Sequence, residues 1–162
     1  MVTLTASVDG LEQLNGAIAR WQESMADLTP FWREVFVPAV LQDIQDNWDQ
    51  QGAMVGGWAA VSPAYAAWKA QRWGSHLGIL ELSLRLRGSL QWLGSDIGPE
   101  GILRMSRDGV EIGTSVPYAK KHQDGAGIAR RQFLFLRTAD VYEPMWTEWL
   151  RERGRQAGLP VP

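Results

Sequence analysis

Apolar residues recur at helical spacing through the first third of the chain, and this pattern constrains the fold more than any other feature of the sequence. One series of large apolar side chains steps by three or four positions, at Leu11, Leu14, Ile18, Trp21, Met25 and Leu28. A second series runs to about Gln51, with one face formed by Val37, Leu41, Ile44 and Trp48. Because this period places side chains on one side of an α-helix, two amphipathic helices are predicted.

The residues around these series indicate where the helices begin and bend. Residues 2–8 alternate apolar with small or polar side chains, the period of a half-buried strand, and Asp9-Gly10 ends that strand. Thr29-Pro30 is a helix start, since proline fits the first helical turn. Pro38 lies inside the second helix, where it has no N–H to donate, and it predicts a kink or a break near Glu34.

A glycine-rich loop and a short helix are predicted next. Residues 52–57 are expected to form a flexible loop that presents Trp58. Ser62-Pro63 then begins a helix, because serine is a favourable N-cap and proline fits the position after it. This helix is expected to carry aromatic and basic side chains on opposite sides, Tyr65 and Trp68 against Lys69 and Arg72.

Residues 79–93 fit two periods at once. The leucines at 80, 82, 84 and 86 alternate as in a strand, while those at 82, 86, 90 and 93 step as in a helix. The length of the stretch favours a helix. Residues 102–107 and 110–115 are two β-rich runs joined through Asp108-Gly109, which predicts a β-hairpin.

The rest of the chain predicts three further elements. Residues 117–123 are expected to form one helical turn, residues 131–136 a last strand, and the apolar spacing from Ala139 onward a closing helix. The prediction is therefore one α+β domain over residues 1–155, followed by a flexible C-terminal tail at residues 156–162. Within that domain, a small antiparallel sheet with a central β-hairpin packs against several amphipathic helices.

Composition narrows the class of protein. Nine tryptophans in 162 residues are more than so small a domain is expected to bury, so several are candidates for a partner surface. The absence of cysteine excludes disulfides and thiolate chemistry and fits a reducing cytoplasm. No segment approaches the ~18 continuous apolar residues of a transmembrane helix, so no membrane partner is expected.

Charge is distributed unevenly along the chain. Residues 1–60 hold eight acids and two bases, a net of −6, whereas the remainder holds ten acids and fourteen bases, a net of +4. Such a separation suits head-to-tail contacts between subunits or an acidic outside around a basic lumen, although unequal halves also arise without any function. Residues 69–137 alone hold eleven bases and six acids with interleaved aromatic residues, the crude footprint of a nucleic-acid surface.

Signals for catalysis are sparse. His76 and His122 are the only histidines, and neither has a second histidine or a cysteine at metal-ligand spacing. His122-Gln123-Asp124 has no nucleophile beside it by motif, and no phosphate-binding loop occurs. We therefore predict no enzyme activity, no catalytic residue, no metal and no cofactor. A particle-associated hydrolase is a weaker alternative, because paired carboxylates converge from distant positions.

Four stretches, in order, carry a resemblance to a known family. They are Gly57-Trp58-Ala59-Ala60-Val61-Ser62-Pro63 with Tyr65 and Lys69; Ile79-Leu80-Glu81 with Leu86-Arg87-Gly88-Ser89-Leu90; Val110-Glu111-Ile112-Gly113-Thr114 with Tyr118-Ala119 and His122-Gln123-Asp124-Gly125; and Arg130-Arg131-Gln132-Phe133-Leu134. Their order and spacing resemble the phage virion-morphogenesis or tail-completion family. The chain departs from the family pattern at Val61, at Ser83-Leu84 and at Gln132, where the family shows leucine, Thr-Gly and proline.

The resemblance implies a structural subunit of a tailed phage that acts in head-tail joining. Its members are similar to tail-terminator and neck subunits that assemble as rings, so the expected partners are copies of the chain itself, most simply in a hexamer. Other neck, connector or tail-tube proteins are further expected partners, and DNA passes through the channel nearby. The expected location is the virion, at the neck or tail end, after assembly in the host cytoplasm. A nucleic-acid-binding module that uses the basic central region is the alternative.

Six residues are candidates for the assembly interface: Trp58, Tyr118, His122, Gly125, Arg131 and Phe133. Tyr118, His122 and Gly125 follow the predicted hairpin at a glycine loop, a place suited to projecting a contact. Arg131 and Phe133 are expected to anchor the chain against that hairpin or against a neighbour. The other interpretation is that Tyr118 and Phe133 are core aromatics, and both interpretations remain open here.

Overall fold

A computed structural model describes residues 9–74 and 77–160 of the chain. The predicted strand at residues 2–8 and His76 lie outside these residues. The helices are α1 (Asp9–Met25), α2 (Thr29–Phe31), α3 (Val37–Asp49), α4 (Pro63–Trp73), α5 (Arg85–Ser89), α6 (Ala119–Asp124) and α7 (Ala139–Ala157). Strands β1 (Gly101–Ser106) and β2 (Gly109–Thr114) form an antiparallel hairpin. The predicted α+β class is confirmed.

A π-helical segment, Trp32–Phe36, joins α2 to α3. The N–H of Val37 donates to the carbonyl of Trp32, five residues earlier, instead of the α-helical four. The helix therefore widens just before Pro38, the residue that cannot donate to the carbonyl of Glu34. The kink or break predicted near Glu34 is observed as this π-helical segment. The helix then continues through Pro38 without a break.

Helix α3 lies at the centre of the hydrophobic core. Its buried apolar face is the one that the second sequence series predicts, with Val37, Val40, Leu41, Ile44 and Trp48. Around it pack side chains from α5, the loops and α6, namely Trp58, Leu86, Leu90, Ile97, Val116, Ala119 and Phe133. This core holds in place the loops and short helices that carry the candidate site.

Helices α1 and α7 lie against each other beside this core. The guanidinium of Arg20 in α1 donates to the carbonyl of Ala157, at 2.8 Å through Nη2, where positive charge suits the C-terminus of α7. Phe31 contacts the rings of Trp146 and Trp149, with centroids 4.8 and 5.4 Å away. The apolar stripe of α1 is confirmed as helical, but its first half is exposed and only Ala17 is fully buried.

Three predicted elements differ from those observed. Within residues 79–93 only Arg85–Ser89 is helical, because Leu80 and Leu84 have φ angles of 64° and 56°, which an α-helix does not accept. Residues 131–136 form no strand, since Gln123 binds their backbone in place of a ladder. In the hairpin, Ser106 pairs with Gly109, so the turn is one residue earlier than expected.

The C-terminal helix is longer than the predicted domain boundary at residue 155. It continues to Ala157, which is buried, and the N–H of Leu159 donates to the carbonyl of Gly154 at 2.9 Å. Residues 156–160 thus belong to the folded unit, while residues 161 and 162 lie outside the described part. No helix in the described ranges is both long and apolar enough to cross a membrane.

Candidate functional site: a groove between α4 and α6

A groove of about 650 Å³ opens between α4 and α6. Its walls come from α4 with the residues before it, the loop after α4, α6, and the segment that follows the glycine loop. Its lining residues are Val61, Ser62, Tyr65, Lys69, Ile79, Leu80, Leu82, Ser83, Tyr118, His122, Ile128, Ala129 and Arg131. These residues span seventy positions of sequence, so the groove exists only in the folded chain.

Helix α4 forms one wall and begins as the sequence predicts. The Ser62 hydroxyl accepts a hydrogen bond from the N–H of Tyr65 at 3.3 Å, an N-cap contact ahead of Pro63. The aromatic residues of α4 lie in a row at the surface, because the centroids of neighbouring rings are 5.4 Å apart for Tyr65 and Trp68 and 4.9 Å apart for Trp68 and Trp73. All three side chains remain between 39% and 45% exposed.

Lys69 is the buried residue of α4, at 7% exposure, whereas the aromatic side chains of this helix are partly exposed. Its ammonium donates to the carbonyl of Gly78, so its hydrocarbon stem runs along the groove wall. Burial lowers the pKa of Lys69 from its ordinary value, and the nearby Glu81 carboxylate opposes that change. This lysine connects α4 to the loop that follows it.

Arg131 forms the opposite wall and is also buried. Its Nε donates to the carbonyl of Ala59 at 3.0 Å, and its own backbone N–H donates to the carbonyl of His122 at 2.8 Å. Within the described residues its guanidinium has no carboxylate within salt-bridge distance. Arg131 is therefore a cation of the groove wall that is bound by the backbone carbonyls of Ala59 and Ala60.

His122 lies between Arg131 and Tyr118. Burial first, and then the charge of Arg131, lower the pKa of His122 below its ordinary value of 6.5, so the imidazole is neutral at pH 7. The rings of Tyr118 and His122 meet edge to face, with centroids 6.2 Å apart. The buried Nδ1 of His122 makes no hydrogen bond to any described residue.

The groove carries positive charge on an apolar lining. Aspartate and glutamate are absent from the lining residues, whereas Lys69 and Arg131 are both present. Leucine, isoleucine, valine and tyrosine supply most of the remaining surface. Such a site is complementary to an apolar segment with anionic side chains along its edge.

The structure brings three of the six predicted interface residues into this groove, namely Tyr118, His122 and Arg131. Phe133 lies beneath it in the core, at 1% exposure. Gly125 ends α6 with a φ angle of 76°, and a Cβ there would lie 2.9 Å from the Cβ of Arg130. Gly125 therefore permits the chain to turn back toward Arg131.

The expectation that the preceding loop presents Trp58 to a neighbour is wrong. Trp58 is only 7% exposed, its Nε1 donates to the carbonyl of Gln132 at 2.7 Å, and its ring meets Trp48 edge to face. The loop is a 3-10 turn, Ala53–Val55, folded over this ring. Gly52 is required there, since a Cβ would lie 2.3 Å from Cδ1 of Trp58.

Sequence reasoning did not select five of the groove's large side chains as site residues: Tyr65, Lys69, Leu80, Leu82 and Ile128. Tyr65, Lys69 and Leu80 belong to the first and second stretches of the family resemblance, which is the signal that points to them. Leu82 and Ile128 lie on loops whose paths no periodicity encodes.

Comparison with protein-family models, with curated proteins and with solved structures finds no match for this chain. Across the described residues, no group of three or more histidine, aspartate or glutamate side chains lies together as a metal site. The groove is therefore interpreted from its own chemistry.

Proposed function

We propose that this chain is a structural virion protein of a tailed phage, a tail-completion or neck subunit that acts in head-tail joining as part of an oligomeric ring. One observation supports the proposal most directly. The four stretches that carry the family resemblance are far apart in sequence and contact one another in the fold. A set of motifs that forms one structural unit is what a shared family framework requires.

The contacts between the stretches are specific hydrogen bonds. Trp58 of the first stretch donates to Gln132 of the fourth at 2.7 Å. The hydroxyls of Ser89 and Thr114 join the second stretch to the third at 2.8 Å. Arg131 of the fourth donates its backbone N–H to His122 of the third. The resemblance therefore rests on residues that hold the groove together and not on scattered identities.

A ring requires two different surfaces on each subunit, and the chain presents both. The groove is one of them, and the exposed apolar part of α1 is the other. Isologous pairing uses one patch twice, whereas a ring uses one patch against another. The partners proposed are copies of the chain, with a hexamer as the simplest ring, and the neighbouring connector or tail-tube proteins.

The proposed role is not enzymatic. The glutamates whose pKa departs from the ordinary value are lowered: Glu100 by hydrogen bonds from Arg85, and Glu152 by hydrogen bonds from Arg155 and Gln156. A lowered pKa keeps a carboxyl ionised at neutral pH, the opposite of what a glycosidase requires of its general acid. These carboxylates are suited to ion pairing and not to proton donation.

Deletion of the gene for this chain in its phage tests the proposal. The expected result is that heads and tails are built separately and fail to join, and that a plasmid copy restores joined virions. Electron microscopy of lysates measures the numbers of free heads, free tails and joined virions. Joined virions that fail later, at lysis or at DNA entry, would contradict the assignment.

A further inference from the structure

The exposed part of α1 is an apolar stripe without a partner in the described chain. Leu11, Leu14 and Ile18 are 59%, 41% and 38% exposed, respectively. At about 100° per residue they fall within about 60° of one another and extend along about 10 Å of helix. Three large apolar side chains at this spacing are the usual anchors of a helix that binds in a groove.

Acidic side chains run along one edge of this stripe. Glu12 and Glu23 are exposed on the adjacent side of α1, and neither forms a salt bridge to a described residue. Arg20, the base of this helix, is directed away from them, because it donates to Ala157 in α7. The free edge of α1 therefore presents apolar groups with negative charge.

The groove between α4 and α6 has the complementary chemistry. It is apolar, Lys69 and Arg131 are its charged residues, and no acid lines it. The row of exposed aromatic rings on α4 extends its apolar surface beyond the lining, with Tyr65 as the shared residue. An apolar helix with an acidic edge matches both properties at once.

We propose that the groove of one subunit receives the exposed stripe of α1 from a second copy of this chain. The contact is heterologous, since the stripe and the groove share no residue, and repetition of such a contact closes a ring or extends a filament. The inference rests on the proposed ring function and names the surfaces that form it. DNA or another virion protein in the groove is a different occupant, which the experiment below distinguishes.

Cysteine crosslinking tests this contact with little background, because the chain has no cysteine of its own. Asn15→Cys places a thiol beside the stripe of α1, and Ala129→Cys places one in the groove lining. A protein that carries both thiols is expected to give, on mild oxidation, a ladder of covalent oligomers that ends at the ring size. Each single variant is expected to stop at the monomer or the dimer.

The matched control moves the first thiol off the stripe. Gln13 is exposed on α1 and lies about 140° away from Ile18, on the side of the helix opposite the stripe. Gln13→Cys combined with Ala129→Cys is expected to give no ladder. Equal ladders from both pairs, or no ladder from the Asn15 pair in a preparation that does form rings, would overturn the proposal.

Charge and apolar variants give a second measurement that does not require crosslinking. Leu14→Glu and Ile18→Glu are each expected to lower the self-association constant at least about tenfold, because the anchor is lost. Their melting temperatures should change little, since both side chains are exposed in the subunit. Glu12→Lys combined with Glu23→Lys is expected to weaken association mainly at low salt. Sedimentation velocity measures self-association for all three variant proteins.

Different results would refute the α1 contact and the ring function. Rings that form normally in Leu14→Glu and carry no crosslink would refute the α1 contact and leave the neck or tail-completion role intact. A chain that remains monomeric both in solution and inside purified particles would refute the ring itself. Protection of the groove thiol by added DNA alone would assign the groove to nucleic acid.

Discussion

Trp58 is packed between the ring of Trp48 and Gly52. Its indole meets Trp48 with centroids 5.5 Å apart, and Gly52 lies directly against its Cδ1. Its Nε1 is bound to Gln132, so the burial of its one polar atom is compensated. At the residue scale, Trp58 is therefore a structural residue of the floor beneath the groove.

Trp58→Ala is expected to lower the free energy of unfolding by about 3–5 kcal/mol, as for other large-to-small core changes. The reason is the cavity left beside Trp48 and the unpaired carbonyl of Gln132. Thermal and denaturant unfolding of the purified subunit measure it.

Trp68→Ala is the control for this prediction. Trp68 is 45% exposed and packs on the neighbouring rings of Tyr65 and Trp73, so the loss is expected to be below about 1 kcal/mol. Trp21→Ala should fall between the two, because Trp21 is half-buried against α7. If Trp58→Ala unfolds no more readily than Trp68→Ala, Trp58 is not part of the core.

The burial of Trp58 could not be predicted from the residues around it. Glycines at 52, 56 and 57 indicate a mobile loop, and a mobile loop before a tryptophan indicates an exposed anchor. The positive φ angles of these glycines instead allow the turn to fold over the Trp58 ring. The burial of Lys69 is a similar case, since it depends on the position of the Gly78 carbonyl, which no local pattern indicates.

At the scale of elements, the side chain of Gln123 binds the backbone of the segment of residues 131–136 at Phe133 and Leu134. The Oε1 of Gln123 accepts hydrogen bonds from the N–H groups of Phe133 and Leu134, at 3.1 and 3.0 Å. Its Nε2 donates to the carbonyl of Leu134 at 2.7 Å. The sequence of this segment predicts a strand paired with a neighbouring strand. Gln123 instead binds the backbone groups that such a neighbour would bind.

Gln123→Ala is expected to destabilise the subunit by about 1–3 kcal/mol, because the backbone N–H groups of Phe133 and Leu134 lose the acceptor that binds them. Hydrogen exchange at Phe133 and Leu134 should accelerate before global unfolding. Gln123→Glu keeps the acceptor oxygen and loses the donor, so its effect should be smaller. Unchanged exchange in Gln123→Ala would mean that the burial of Phe133 alone holds the segment.

The elements that the sequence predicts correctly are those with local causes. The period of α3, the serine cap of α4 and the hairpin of β1 and β2 follow from neighbouring residues. The predicted strand at residues 131–136 and most of the predicted helix at residues 79–93 are absent because distant partners and positive φ angles override their periodicity. The groove depends on both of these segments, so its shape could not be predicted, although Tyr118, His122 and Arg131 could.

At the scale of the whole molecule, many of the bases in residues 69–137 are already paired. Those in salt bridges are Arg85, Arg87, Arg104, Lys120 and Arg137. Lys69 and Arg131 lie inside the groove, bound to backbone carbonyls, and not on the open surface. Few of the eleven bases of this region therefore lie unpaired on the open surface, where they could release counterions from a phosphate backbone.

The free subunit is therefore expected to bind duplex DNA more weakly than about 10⁻⁵ M at physiological salt. Fluorescence anisotropy with a labelled duplex, repeated across a salt series, measures both the affinity and its salt slope. Tight binding with a steep slope would favour the nucleic-acid-binding module over the ring subunit.

The π-helical segment Trp32–Phe36 has a consequence for the direction in which α2 faces. A π-turn holds one residue more than an α-turn, so the helix before it is rotated by about 100° relative to an uninterrupted helix. The core-facing side of α3 lies after this offset, whereas Phe31 of α2, whose ring packs on Trp146 and Trp149 of α7, lies before it. A variant with Pro38 replaced and one residue of this segment deleted is expected to turn Phe31 away from α7 and so to loosen the contact between the core and that helix.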